Sequence, residues 1–340
     1  MKQNDWFKDK VIKLKNKNFL NRCFYIFIFI ILKISIRSSK VKNKKENLKI
    51  IINRSIKKLS SREFTFIPAG FAFYLFISII PILIISFSII NPFFINKETL
   101  HFSNTKDFLL EEILNRYIPG IGKSIPETLN IFSSAAWETT TWIILLFSSL
   151  WISSSGYAKF IESQSIIYSH KNSGNIIFNR IKGIFIVIII SLILSFFLIL
   201  STFLFIELQI KFKNKLWVYE LCFYTISIFL VFIFFYIIWL ILLKISPVFK
   251  ITFKQISSGV FISSLSSVLF SAIFGFLSSA KFISYDKFGT LATFLYLSTF
   301  CFYISYLLYF GVIINEAFYK TFFSEFTRHK YKFQKKKNFN

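Results

Sequence analysis

From Phe66 to Phe318 the chain is a succession of long apolar stretches, nearly free of charge, separated by short polar breaks. A helix of about 20 apolar residues matches the hydrocarbon thickness of a bilayer. Six such stretches occur in series, at about 66–90, 137–155, 184–206, 216–243, 256–280 and 288–314. The pattern predicts an all-α polytopic transmembrane bundle of six spans over 66–318, with basic segments 1–65 and 319–340 on either side. A shorter run, Cys23 to Leu32 (CFYIFIFIIL), is bracketed by Arg22 and Lys33. At about ten residues it is too short to span. It reads as an amphipathic or interfacial helix, with a seventh span as the competing reading. No small-x-small site follows it, which argues against a cleaved signal peptide.

The breaks are not equivalent. Pro68 sits in the first turn of span 1 and Pro81 inside it, where a proline frees a carbonyl and kinks the helix. The longest connection, 93–136, is acidic, with Glu98, Asp107, Glu111, Glu112 and Glu127. Its Phe108 to Tyr117 stretch has helical spacing and is stopped by Pro119, Gly120 and Gly122.

With 54% hydrophobic residues and a formal net charge of +25, where the charge falls matters more than its size. With the N-terminus inside, the inner segments 1–65, 157–182, 244–255 and 319–340 hold about 32 of the 41 Lys and Arg. The positive-inside rule then makes both termini cytoplasmic. Lys211, Lys213 and Lys215 on an outer loop run against this trend. The basic ends therefore read as topology and as contact with anionic lipid at the cytoplasmic face, ahead of any specific nucleic acid. Membrane lipids are the expected partners, and a second copy of the chain is a further candidate.

Two spans carry patterned polar residues. In span 5, Gly259, Ser263, Ser267, Ser271, Gly275 and Ser279 recur every four residues. Small residues at this spacing let another helix approach closely, and the alternative is a polar wall of a substrate path. Span 2 exits through Ser148, Ser149, Ser153, Ser154, Ser155 and Gly156, followed by Lys159 and Glu162, three apart and able to pair on one face. With Asn315 and Glu316 at the end of span 6, Ser154, Ser155, Lys159 and Glu162 form a candidate polar cluster at the inner face.

Other chemistries find no residues. Away from their ends, spans 1, 3, 5 and 6 hold no Asp, Glu, Lys, Arg or His, which argues against a proton-coupled carrier with a midplane carboxylate. His101, His170 and His329 lie in separate segments without HxH or HExxH spacing, no GxSxG elbow occurs, and there is no P-loop. Cys23, Cys222 and Cys301 lack CxxC spacing. No catalytic, cofactor or metal residues are assigned, and the chain is not expected to be an enzyme.

Several short features, in order, resemble the YihY/BrkB family of bacterial inner-membrane proteins, some of which carry a ribonuclease BN label. They are Ala72-Phe73 with Ser78 and Pro81, Ile118-Pro119 with Gly122, the polar exit of span 2 through Tyr168, Pro247, Gly259, Phe288-Gly289, and Gly311 with Asn315. The chain departs from the family at Ser165, where Asn is common, and at Ile313 and Val268, where acidic residues are common. The resemblance implies a cytoplasmic (inner) membrane location. It also implies a transporter or flippase-like role for a lipid or small envelope-related solute, for which the patterned polar residues of spans 2 and 5 are the expected path lining. A non-transporting scaffold for envelope assembly is the alternative. The ribonuclease label finds no supporting residues.

Overall fold

The computed structural model describes residues 44–95, 140–213, 215–279, 291–324 and 326–328. Among them are seven α-helices and no strand: α1 Lys44–Leu59, α2 Arg62–Ile95, α3 Thr140–Ile167, α4 Ile176–Lys211, α5 Leu216–Ile245, α6 Phe253–Ser279 and α7 Leu291–Phe322. The Cys23–Leu32 run and the Phe108–Tyr117 segment with its acidic neighbours lie outside the described residues, as do residues 280–290 and 329–340.

Among the described residues five helices are long and apolar enough to cross a membrane, over Phe64–Ile90, Ile176–Lys211, Trp217–Ile245, Phe253–Leu277 and Phe294–Phe322. Only 33% of the most apolar window of α2, of α4 and of α5 is buried inside the bundle. Phe66, Phe73, Phe185, Phe196 and Phe229 all point outwards. A soluble monomer does not expose contiguous apolar surface on this scale. The sixth expected span falls on α3, which has 28 residues. Its second half carries Ser153, Ser154, Ser155, Lys159, Glu162 and Gln164. α2 runs unbroken through Pro81. α4 and α7 reach beyond the expected span limits, to Ile176 and Phe322.

Neighbouring helices close a ring in the order α2, α3, α4, α5, α6, α7 and back to α2, with α2 also touching α4. α1 packs on the outside of α7. One large core fills the end of the ring nearest α1. It joins Phe71 of α2, Phe160 of α3, Val187 of α4, Trp239 of α5, Val260 of α6 and Tyr309 of α7. Toward the far end the buried residues separate into two small clusters. Phe205, Tyr219, Phe223 and Leu230 lie between α4 and α5, and Phe274 and Tyr296 lie between α6 and α7.

Where helices cross closely, small residues and hydroxyls permit it. A Cβ added at Gly311 would collide with Ser263 Oγ and lie 2.5 Å from the Gly259 carbonyl oxygen. A Cβ at Gly183 of α4 would lie 2.5 Å from the Ser154 carbonyl oxygen of α3. Across α2 and α4, Ser86 Oγ donates to the Ser191 carbonyl at 3.0 Å, and Ser195 Oγ donates to the Ser86 carbonyl at 3.3 Å. Such bonds satisfy hydroxyls that have no water to turn to.

Gly311→Leu should force α6 and α7 apart and cost about 3 kcal/mol or more. Gly70→Ala, where an added Cβ meets nothing within 4 Å, should be neutral or stabilise by up to about 1 kcal/mol. Thermal unfolding of the two variants in detergent micelles checks both; equal midpoints would refute the tight crossing.

Candidate functional site

The polar chemistry of the described residues concentrates where α1, the ends of α2 and α3, and the last turns of α7 meet. α1 is amphipathic by spacing. Leu48, Ile51, Ile52 and Ser55 are buried, while Glu46, Lys49 and Lys57 are exposed. Its apolar face packs on Ile262 of α6 and on Phe310, Ile314, Ala317 and Phe318 of α7. That docking carries Arg54 and Lys58, four apart on one helical face, to the side chain of Glu316.

Glu316 is 0% exposed. Arg54 spans both carboxylate oxygens, with Nη2 at 3.1 Å from Oε1 and Nε at 3.4 Å from Oε2. Lys58 Nζ lies 3.3 Å and Lys320 Nζ 3.1 Å from the same Oε1. Three cations therefore face one carboxylate. Lys58 also donates to the carbonyl of Ile167, the last residue of α3, where unpaired carbonyls and the helix dipole favour a cation. Burial pulls the Lys58 ammonium below the usual lysine range, and the charge of Glu316 opposes that shift. Lys320 donates to Ser169 Oγ at 3.4 Å. Ser169 itself adopts φ 54°, ending α3 in a left-handed turn.

Aromatic rings wall the cluster. Tyr168 stands against Phe249 and Tyr319, with ring centroids 4.7 and 6.1 Å away. Burial first, then the negative charge of Glu316, holds the Tyr168 hydroxyl well above the usual phenol range. Beside Lys58 a crevice opens between α2, α3 and α7, lined by Ser61, Phe64, Pro68, Tyr309 and Ile313. Its volume is about 240 Å³ counted to the open mouth, with enclosed space of only about 10 Å³, room for about one water. Tyr309 Oη pairs with Ser163 Oγ at 2.6 Å, and the Tyr309 ring meets those of Phe71 and Phe160 edge-on.

The residues singled out from sequence take separate places. Gly259 and Ser263 form the crossing with α7, where Asn315 Oδ1 accepts the Gly259 N–H at 2.7 Å and Asn315 Nδ2 is buried without a partner. Ser267 instead accepts from Trp239 Nε1 of α5 at 3.3 Å. Ser271 donates back to the Ser267 carbonyl, Gly275 is half-buried, and Ser279 ends the helix. Ser154 bonds back to Trp151, and Ser155 is half-buried. Lys159 donates to Tyr74 Oη at 2.6 Å, and Glu162 is half-buried. Glu316 thus meets cations from α1 and α7 rather than the α3 side chains. Ser165, Ile313 and Val268 are all buried, and the last two lie in the main core. Among the described residues no group of three His, Cys, Asp or Glu comes together to hold a metal. Sequence reasoning missed Arg54, Lys58 and Lys320. The available signal was the two i,i+4 pairs, Arg54/Lys58 and Glu316/Lys320.

Glu316→Ala strands three partly buried cations, so it should destabilise the protein by about 3–5 kcal/mol and expose α1 to trypsin at Lys57. Arg54→Gln should do less, because Lys58 and Lys320 still neutralise the carboxylate. Thermal midpoints and rates of tryptic cleavage read both effects. If cleavage does not change in Glu316→Ala, α1 docks through its apolar face alone.

No curated protein and no solved structure matches the chain significantly. A family model described as Virulence factor BrkB matches residues 55–335, taking in every helix from the end of α1 through α7 together with Glu316, Lys58 and Lys320, while Arg54 lies just before the matched range. The chain belongs to the Virulence factor BrkB family.

Proposed function

We propose that this multi-pass membrane protein moves a lipid or a small envelope-related solute across the bacterial cytoplasmic membrane, as a non-enzymatic transporter or flippase-like protein. The observation that carries the reading is the crevice between α2, α3 and α7. It leads from the cation cluster toward the Tyr309–Ser163 hydroxyl pair inside the ring of helices. A ring of helices with a crevice that reaches the buried Tyr309 from one end suits gated passage better than surface catalysis. The charge asymmetry supports placing the α1 end at the cytoplasmic face with both termini inside. α3, flanked by α2 and α4 in the ring, supplies the sixth span.

A second reading, a scaffold for envelope assembly, draws on how completely the core is filled. Phe160, Phe249 and Tyr309 are among the largest fully buried side chains, and they lie at the end where a path would have to pass.

The discriminating experiment is reconstitution of the purified protein into vesicles carrying headgroup-labelled phospholipid, with flux followed by quenching from outside. Flux above that of empty vesicles is expected. Ser61→Trp, at a half-buried position lining the crevice, should lower it about tenfold or more, a barrier increase of about 1.4 kcal/mol, with the thermal midpoint preserved. A wild-type protein that gives no flux but co-purifies with a stable protein partner would establish the scaffold instead.

A further inference from the structure

We propose that Arg54, Lys58 and Lys320 form a site for a phosphate group at the mouth of the crevice, its source a phospholipid headgroup or a soluble phosphoryl compound. The inference rests on the transport reading for the sidedness of the crevice and deepens it by naming what the crevice mouth takes.

The argument starts from charge. Three cations converge on Glu316 at 3.1–3.3 Å, and among the described residues no second carboxylate joins them. One negative charge leaves the group over-neutralised. The surplus is poorly hydrated, since the Lys320 side chain is 6% exposed and those of Lys58 and Arg54 are 24% and 25% exposed. Like charges held this close out of water repel strongly. An anion at the open side of the group relieves that repulsion.

Donors are left over to bind it. An ammonium has three N–H groups and a guanidinium five. Lys58 spends two, on Glu316 and the Ile167 carbonyl, and Lys320 spends two, on Glu316 and Ser169. Arg54 spends two on the carboxylate. The unspent donors come from three side chains on two helices. A tetrahedral oxyanion, with several acceptor oxygens and up to two charges, matches that arrangement better than a second planar carboxylate.

Location agrees with the chemistry. Lys58 lines the crevice, whose floor is apolar at Phe64, Pro68 and Ile313. The small enclosed volume admits no whole ligand, so a charged head at the mouth is what fits. The cluster also lies beside the final residue of α3 and close to the end of α7, at the level where helix ends meet lipid phosphates.

The test uses the full-length protein in micelles exchanged with equal phosphatidylglycerol and phosphatidylcholine, with retained lipid counted by native mass spectrometry. A parallel arm follows the thermal midpoint as inorganic phosphate replaces chloride at constant ionic strength. The wild type should retain phosphatidylglycerol preferentially. Lys58→Gln should bring the ratio toward parity, while Lys57→Gln, one residue away and exposed, should leave it unchanged. If phosphate stabilises the wild type but not Lys58→Gln, and no lipid preference appears, the ligand is the soluble phosphoryl compound. If Lys58→Gln does not unfold cooperatively, Lys320→Gln replaces it, because Arg54 and Lys58 still neutralise Glu316. The proposal is overturned if lipid preference and phosphate response are the same in wild type and variant. It is overturned equally if Lys57→Gln lowers the preference as far as Lys58→Gln does. Flux is measured separately, so vesicles that keep full flux without anion preference remove this site and leave the transport reading standing.

Discussion

A carboxylate with no exposure to water has to be neutralised by the protein around it, and the architecture near Glu316 answers that requirement. Burying an unpaired carboxylate costs several kcal/mol even after relaxation, more than most single contacts return. Each of the three cations that meet it also fastens a different piece of chain. Arg54 arrives on α1, a helix separated from Glu316 by 262 residues in sequence. Lys58 ties the end of α3 through Ile167. Lys320 closes the last turns of α7 onto Ser169. Without that carboxylate, the helix ends gathered here would carry uncompensated positive charge and would tend to separate.

Away from this cluster the bundle is governed by the opposite condition, the absence of water within the bilayer. Serine is frequent in its helices, yet most of these hydroxyls turn back onto a carbonyl one turn earlier. Ser191 bonds Val187, Ser264 bonds Val260 and Thr202 bonds Leu198. Their presence therefore does not by itself mark a polar path. What they provide is small volume without an unsatisfied group, so that backbones can approach. The α6 stripe makes the point. Its every-fourth spacing lags the helical period of 3.6 residues, so the stripe rotates along the helix, serving α7 at Gly259 and Ser263 and α5 at Ser267.

This geometry separates what could be read from the chain from what could not. The apolar runs were legible because helix length and hydrocarbon thickness are both set by simple lengths, and five of the six predicted runs stand as candidate spans. The sixth, on α3, joins an apolar first half to a polar second half. The close approach at Gly259 was legible as a stripe of small residues, but its partner Gly311 was not, because a pair of helices has to be docked before facing glycines become a pair. The ion cluster was hidden for a different reason. Arg54 and Lys58 lie within a segment whose many basic residues all satisfy the same topological rule, and nothing in the local sequence distinguishes the two that turn inward. Their i,i+4 spacing and their amphipathic register with Leu48, Ile51 and Ser55 were the available clues. They become decisive only once Ile314 and Phe318 are known to supply the opposing surface.

The two ends of the bundle differ in a way that constrains any conformational cycle. At the α1 end a continuous core, an ion cluster and the Gly259–Asn315 bond fix every helix of the ring to its neighbours. Toward the far end the buried residues divide into an α4–α5 cluster and an α6–α7 cluster. Packed cores switch between discrete arrangements rather than deform smoothly. Motion at the far end therefore costs the contacts between two helical pairs, whereas motion at the α1 end costs the whole core and strands Glu316. A cycle that opens the far end alone leaves the ion cluster intact. A cycle that opens the α1 end must first supply Glu316 and its cations with other partners.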